Sequence, residues 1–268
     1  MSARPSLLSL IARLVVVAGV LFALVPLAIM LLMSFSSSEF VRFPPPGFSL
    51  RWYDSYLSQT DWMAATFRSL WLGTGVAAIA VLLGVPAAIA IDRMTPSWQK
   101  AALGVAVLPI LLPPVVIAVA MYMTFTRLGL VGTPAGLVAG HLMLALPFVV
   151  LTSVAALRKL DPELTRAARS LGAGRTRILF TVTLPLIRPS ILSGALLAFL
   201  TSFDELVIAL FLGSPQLRTL PRRMWEGIRS EFDPTVAAAS AMVVVATLLA
   251  ALALQLLAHA ARRRIRPS

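Results

Sequence analysis

The chain has 268 residues, of which 59% are hydrophobic and 13% charged, and it carries a net charge of +12. Soluble domains carry about 25% charged residues, so this composition excludes an ordinary water-soluble globule. Cysteine is absent, which excludes disulfides, thiolate metal sites and a cysteine nucleophile. With only two histidines present, we expect no metal site and no bound cofactor.

Six stretches of the sequence are free, or nearly free, of charged residues. About 20 apolar residues cross a bilayer at 1.5 Å per residue, so each stretch suffices for one helix and none for two. The sequence therefore predicts an all-α integral membrane protein whose first apolar stretch is a retained helix rather than a signal peptide. The six stretches are residues 14–33, 69–91, 101–126, 128–157, 189–217 and 234–261.

Basic residues are distributed unequally between the two sides of these spans. If the N-terminus is cytoplasmic, the inner segments hold fifteen of the 23 Lys and Arg residues but three of the 11 Asp and Glu residues. An excess of Lys and Arg marks the cytoplasmic side of a membrane protein. We therefore expect both termini on the cytoplasmic side of the membrane. The positive charge is then a topology signal, and we expect no nucleic-acid partner.

Proline and glycine residues punctuate several spans. Pro113 and Pro114 lie within the third stretch, where proline removes a backbone hydrogen bond and kinks a helix. Gly132, Gly136 and Gly140 recur every four residues, a pattern that lets helices approach closely.

The outer connection between the first two spans contains a short aromatic segment. Ser49 is a candidate N-cap for a helix that carries Trp52, Tyr53 and Tyr56. Aromatic residues with polar edges collect at the membrane surface, which favours an interfacial helix. An aromatic cage for substrate is the alternative.

A polar insert over residues 161–189 separates the fourth and fifth spans. Asp161 is predicted to cap a helix with Pro162 at its first position, and Gly172 is predicted to end it. One face of this helix is apolar and includes the small residues that favour close contact with another protein; contact with lipid headgroups is the alternative. That face is formed by Leu164, Ala167, Ala168 and Leu171. A second short helix is expected from Arg175 to Leu184, after which Pro185 and Pro189 redirect the chain into the fifth span.

Residues 166–185, RAARSLGAGRTRILFTVTLP, resemble the EAA motif of ATP-binding-cassette (ABC) importer permeases. Arg166 stands where the motif has Glu, and Glu163 lies one turn earlier. The resemblance implies the type I ABC importer permease fold in a bacterial inner membrane, with this segment as the coupling helix in a cleft of the ATPase. The coupling residues it implies are Glu163, Arg166, Ala167, Ala168, Gly172, Leu184 and Pro185.

A second set of motifs is similar to spermidine/putrescine-type permeases. These motifs are Ser202–Glu205, Thr219–Pro221, Met224–Arg229 and Asp233–Pro234. The resemblance implies a polyamine or similar small cation as substrate. Thr219 is expected to cap an outer helix in which Met224 and Trp225 form a periplasmic gate, or pack over the bundle.

Asp204 and Glu205 lie within the fifth stretch, together with the candidate pathway residue His141 in the fourth. An Asp at mid-helix costs about 2.5–3.5 kcal/mol in membrane insertion, so such acids usually face a cavity or a partner. One hypothesis is that at least one acid lines the pathway and attracts a cation. The other is that an acid pairs with a base on a partner subunit or with His141.

The chain has no G-x-x-x-x-G-K-[ST] phosphate loop, so we expect it to be no enzyme and to rely on a separate ATPase. The family resemblance implies four partners: a cytoplasmic ATPase dimer, a second and different permease, an external binding protein and membrane lipid. Import of thiamine, a metal ion, sulfate or phosphonate is an alternative, as is an ion-coupled secondary transporter. An intramembrane enzyme would need more reactive residues at membrane depth than Asp204, Glu205 and His141.

Three segments are expected along the chain. Residues 1–65 hold the N-terminal tail, the first span and the outer connection. Residues 66–261 form the permease domain with its coupling segment at 161–185, and residues 262–268 form a basic cytoplasmic tail.

Overall fold

The computed structural model describes residues 7–40, 42–231 and 233–265; Arg4 and residues 266–268, which enter the predicted topology, lie outside this part. Helices dominate the described chain, whose only extended pairing is an isolated bridge between Ser36 and Phe48. The α-helices are α1 (Leu7–Ser34), α2 (Arg51–Ser58), α3 (Thr60–Asp92), α4 (Pro96–Leu111), α5 (Pro114–Arg127), α6 (Pro134–Leu157), α7 (Pro162–Ser170), α8 (Arg175–Ile178), α9 (Leu184–Phe203), α10 (Val207–Leu212), α11 (Leu220–Glu226) and α12 (Thr235–Ile265). Two π-helical turns, Leu179–Thr183 and Gly227–Glu231, follow α8 and α11.

Four helices in the described residues are long and apolar enough to cross a membrane. They are the apolar part of α1, then α3, α6, and the helix that runs from Arg175 to Phe203. The pair α4 and α5 meets the same criteria as one bent span, with 97° between its halves. These elements establish an all-helical, multi-pass architecture.

Consecutive prolines cause the bend between α4 and α5. Leu112 and Pro113 both have extended backbone angles, with ψ of 142° and 130°. Each precedes a proline, and the ring of a proline disfavours helical angles in the residue before it. The kink predicted from Pro113 and Pro114 is therefore confirmed as a complete break in the third predicted span.

The chain divides into two compact units, and the first comprises Met1–Met63 with Met224–Ser268. Within it α1 and α2 both pack against α12. The connection after α1 is held by two side chains of α2: Trp52 Nε1 donates to Ser36 O at 2.8 Å, and the Tyr53 hydroxyl lies 2.6 Å from Ser34 Oγ. The predicted N-cap at Ser49 is wrong: Leu50 occupies the N-cap position without a side-chain capping hydrogen bond, and Ser49 Oγ accepts from the N–H of Arg51 at 3.2 Å.

The second unit, Ala64–Arg223, is built around the pair α6 and α9. Gly194 of α9 lies against α6, where an added Cβ would be 3.0 Å from the Cα of Val149. The buried core of this unit draws side chains from five helices, among them Val76, Ile117, Val149, Ala198 and Ile208. This close-packed pair positions the polar insert at one end of α6 and the acidic pair at the end of α9.

Of the three regularly spaced glycines, only Gly140 provides the predicted close approach between helices. Gly132 precedes α6 and has a φ of +76°, so it does not belong to a helix face. Gly136 faces the carbonyl oxygen of Leu130 in the preceding turn. A Cβ at Gly140 would lie 2.6 Å from Cγ2 of Ile208 and 2.8 Å from Cδ1 of Leu212, both in α10.

Substituting Gly140 with Ala is expected to lower the thermal unfolding midpoint of the purified chain in detergent, measured by circular dichroism. The added methyl group overpacks the contact with α10, which typically costs about 1–3 kcal/mol. Gly104→Ala is the matched control because no heavy atom lies within 4 Å of its Cβ position. Equal midpoints for the two variants would show that α6 and α10 are not closely packed.

Candidate functional site

The polar insert forms the helix that its sequence predicts. Asp161 Oδ1 accepts a hydrogen bond from the N–H of Glu163 at 2.9 Å, and Pro162 occupies the first turn of α7. The helix ends before Gly172, whose φ of +80° favours glycine because a side chain is strained there. A Cβ at Gly172 would meet nothing within 4 Å, so its backbone conformation and not its size accounts for this residue.

The apolar face of α7 is not covered by any of the residues that the structure describes. None of the residues in α7 is buried. Leu171, directly after the helix, is 89% exposed and Leu164 is 45% exposed, while Ala167 is exposed and Ala168 half-buried. An amphipathic helix that leaves this face open has apolar area available for another molecule.

Arg166, which replaces the acidic residue of the motif, pairs with Glu163 one turn earlier. Its Nη1 lies 3.0 Å from Glu163 Oε1, and both side chains are about two-thirds exposed. An exposed pair at this spacing contributes about 0.3–0.5 kcal/mol at most. The pair keeps an acidic group next to the uncovered face although the motif position itself is basic.

The segment after α7 corrects one expectation, because Pro185 and Pro189 do not redirect the chain. Residues Arg175–Phe203 form one continuous helix. A π-helical turn immediately precedes Pro185, and there the N–H of Leu184 bonds to the carbonyl of Leu179. A proline ring normally clashes with the carbonyl four residues earlier, and this wider turn accommodates it.

The acidic pair lies in a break between helices rather than within one. α9 ends at Phe203 and α10 begins at Val207, so the expected mid-helix position of Asp204 and Glu205 is wrong. Glu205 is half-buried, and its Oε1 accepts from the N–H of Ile208 at 2.9 Å, which satisfies a free donor at the start of α10. Asp204 is exposed, and its carboxylate makes no hydrogen bond or ion pair with the residues that the structure describes.

His141 is fully buried in α6 and contacts Ser202 of α9. Its Nδ1 lies 3.0 Å from Ser202 Oγ and 3.1 Å from Ser202 O. Nε2 has no hydrogen-bond partner among the described residues. The alternative in which Asp204 or Glu205 pairs with His141 is not found among the described residues, because His141 contacts Ser202 instead. In the sequence, the only indication of this contact was a serine inside an apolar helix, and that indication does not identify His141 as its partner.

Helix α11 carries the two candidate gate residues. Met224 is half-buried, while Trp225 is 37% exposed and lies 5.2 Å from the guanidinium of Arg229. The N–H of Leu220 donates to Ser69 Oγ at 2.8 Å, whereas Thr219 Oγ1 has no hydrogen bond in the described chain, so the expected hydroxyl cap is absent.

Two further features of the described chain concern local chemistry. Asp233 Oδ1 accepts from the N–H of Thr235 at 2.9 Å and so caps α12. No group of three or more His, Cys, Asp or Glu side chains able to hold a metal ion occurs among the described residues.

Comparison with known proteins identifies the family. The family model for the binding-protein-dependent transport system inner membrane component matches residues 80–267. The chain is 32% identical over 258 residues to the putrescine transport system permease protein PotI of Escherichia coli (strain K12), across 92% of this chain and 91% of that protein. It is 29% identical over 235 residues to the spermidine/putrescine transport system permease protein PotC of the same strain, across 88% and 89%.

Two solved structures share the fold. A chain of a bacterial ABC transporter involved in the import of the acidic polysaccharide alginate has a TM-score of 0.77 at 16% identity, over 95% of this chain and 98% of that one. A chain of the inward-facing MetNI methionine ABC transporter has a TM-score of 0.58 at 16% identity, over 78% and 100%. The chain therefore belongs to the binding-protein-dependent transport system inner membrane components, as a multi-pass permease subunit of an ABC importer and not an enzyme.

Proposed function

We propose that the chain forms half of the translocation pathway of an importer for putrescine, spermidine or a similar small cation. The names of the two Escherichia coli relatives support this substrate class. The site observation that carries the proposal is the uncovered apolar face of α7, next to a helix that runs without interruption from Arg175 to Phe203. Such a helix can transmit a push on α7 into the membrane-spanning bundle.

In this proposal the chain crosses the membrane six times, with both termini in the cytoplasm. The four long apolar helices, the bent pair and α12 supply the spans. The excess of Lys and Arg near α7 supports a cytoplasmic position for the coupling segment.

Three protein partners follow from this arrangement. The apolar face of α7 and the pair Glu163–Arg166 dock into a cleft of a cytoplasmic ATPase dimer. A second, different permease completes the pathway, and an external binding protein delivers the substrate. Closure of the ATPase dimer moves α7 together with the Arg175–Phe203 helix, so that the bundle opens alternately to the two sides.

Asp204 is the better candidate for contact with a cationic substrate. Its carboxylate is exposed at the break after α9, whereas the carboxylate of Glu205 is engaged in capping α10. His141 of α6 contacts Ser202 of α9, so these two polar residues lie close to the acidic pair that follows α9. Met224 and Trp225 form the proposed gate on the outer side.

The orientation can be tested directly because the chain has no cysteine. Ser58→Cys and Ser170→Cys each introduce one exposed thiol, on α2 and α7. With a membrane-impermeant maleimide, intact spheroplasts are expected to label only Ser58→Cys, and inverted vesicles only Ser170→Cys. The reverse pattern would place α7 outside the cytoplasm and contradict docking to an ATPase.

Docking through α7 predicts a strong effect of Leu171→Glu. A charge placed in an apolar protein interface is costly when it is unpaired, and we expect at least a tenfold loss, about 1.4 kcal/mol or more, in ATPase co-purification. Leu171 is 89% exposed, so the fold of the chain itself should not change. Ser170→Glu is the control, because it adds the same charge at the exposed neighbouring position about 100° around the helix. Equal losses in both variants would argue against a defined docking face.

The two acids are expected to behave differently in putrescine uptake by proteoliposomes containing the whole transporter. Asp204→Asn should raise the putrescine concentration needed for half-maximal uptake, because it removes the exposed charge. Glu205→Gln should leave uptake near normal, since an amide oxygen still accepts from Ile208, while Glu205→Ala should cost about 1 kcal/mol of stability through loss of the cap.

Two outcomes would contradict this assignment of Asp204. Unchanged uptake in both Asp204→Asn and Glu205→Gln would exclude a pathway role for these acids. Loss of the second permease from purified Asp204→Asn would instead indicate that Asp204 pairs with a base on that subunit.

A further inference from the structure

A cavity of about 810 Å³ lies between the polar insert and the ends of two spans. Its walls come from the end of α3, the end of α6, α7 and the beginning of the Arg175–Phe203 helix. This volume falls within the roughly 300–1,000 Å³ typical of ligand sites. Docking of an ATPase on the apolar face of α7 does not account for this cavity, which still has no assigned ligand.

Arginine dominates the charged lining of this cavity. The five arginines are Arg93, Arg158, Arg166, Arg169 and Arg175, against two acids, Asp92 and Asp161. Asp161 is already engaged in capping α7, and Arg166 pairs with Glu163. The other four arginines make no ion pair with the residues that the structure describes. The cavity therefore has an excess of guanidinium groups without a counterion.

Part of the wall of the same cavity is apolar. Ile178 and Leu157 of this lining are buried, and Ile89 and Leu179 are half-buried. α3 ends at Asp92 and α6 ends at Leu157, so the arginines lie where the apolar spans stop. This is the depth at which a bilayer changes from hydrocarbon to phosphate.

We propose that this cavity binds the headgroup phosphate of an anionic phospholipid. Guanidinium groups bind phosphate with paired, charge-assisted hydrogen bonds, and basic pockets between membrane helices bind anionic headgroups. The apolar wall fits the glycerol and first acyl carbons of a lipid, whereas a free phosphate ion would leave this wall in contact with water. The bound lipid contacts the ends of α3 and α6 as well as α7, and so stabilises the position of the segment that binds the ATPase.

The test compares two double variants of the full-length chain in nanodiscs. Arg158→Gln with Arg175→Gln removes two charges from the lining, while Lys159→Gln with Arg177→Gln removes two charges from exposed neighbouring positions outside it. The probe is a photoactivatable phosphatidylglycerol in phosphatidylcholine nanodiscs, with cross-linked peptides identified by mass spectrometry. We expect labelling of peptides around α7 and the end of α6 to fall about tenfold or more in the lining variant and less than about twofold in the control.

Three results would overturn the proposal. Equal losses in the two double variants would indicate general surface attraction, and equal labelling with photoactivatable phosphatidylcholine would exclude recognition of an anionic headgroup. Displacement of the lipid by millimolar inorganic phosphate would assign the cavity to a free anion. If the lining variant does not fold, Arg158→Lys with Arg175→Lys retains the charge but loses paired phosphate contacts, and should still reduce labelling. The cross-linking assay contains no ATP and no transport substrate, so a negative result would contradict lipid binding without bearing on the proposed importer function.

Discussion

Every backbone N–H and C=O within a membrane must find a partner inside the protein, because lipid offers none. Three interruptions of helices in the described chain can be understood from that requirement. After the end of α9 the carboxylate of Glu205 accepts a hydrogen bond from the N–H of Ile208, so α10 begins without leaving this donor unpaired. Before Pro185 the π-helical turn keeps backbone groups bonded where a regular turn would clash. Between α4 and α5 two prolines lack the donors that would otherwise be left free.

The same requirement gives different roles to Asp204 and Glu205, although the two acids are adjacent in the sequence. Glu205 is committed to the backbone of α10, and α10 is held in turn by the close approach of Ile208 and Leu212 to Gly140. The carboxylate of Asp204 bonds to no backbone N–H in the described chain and is exposed. A structural carboxylate and a candidate substrate-binding carboxylate can therefore be adjacent, with their roles divided by hydrogen bonding rather than by residue type.

The polar insert combines two surfaces of different chemistry on one short helix. The apolar face of α7 is not covered by the described residues, while Arg169 of the same helix lines the arginine-rich cavity. In our proposals the first surface meets a protein motor and the second a lipid headgroup. Movement of α7 then passes into the uninterrupted Arg175–Phe203 helix. Both surfaces belong to the compact unit Ala64–Arg223, whose core is the α6 and α9 pair.

Local sequence determined the helical membrane class, the capped helix α7 and the break at Pro113–Pro114, because each depends on composition or on neighbouring residues. Family resemblance supplied the importer assignment. Tertiary structure alone decided that His141 contacts Ser202, 61 positions away, that Gly140 rather than Gly132 is packed against another helix, and that Pro185 lies within a continuous helix. It also gathered arginines that follow α3 and α6, or belong to α7 and α8, around one cavity. Such contacts join residues distant in the chain, and residue type and spacing do not specify which distant partner each side chain meets.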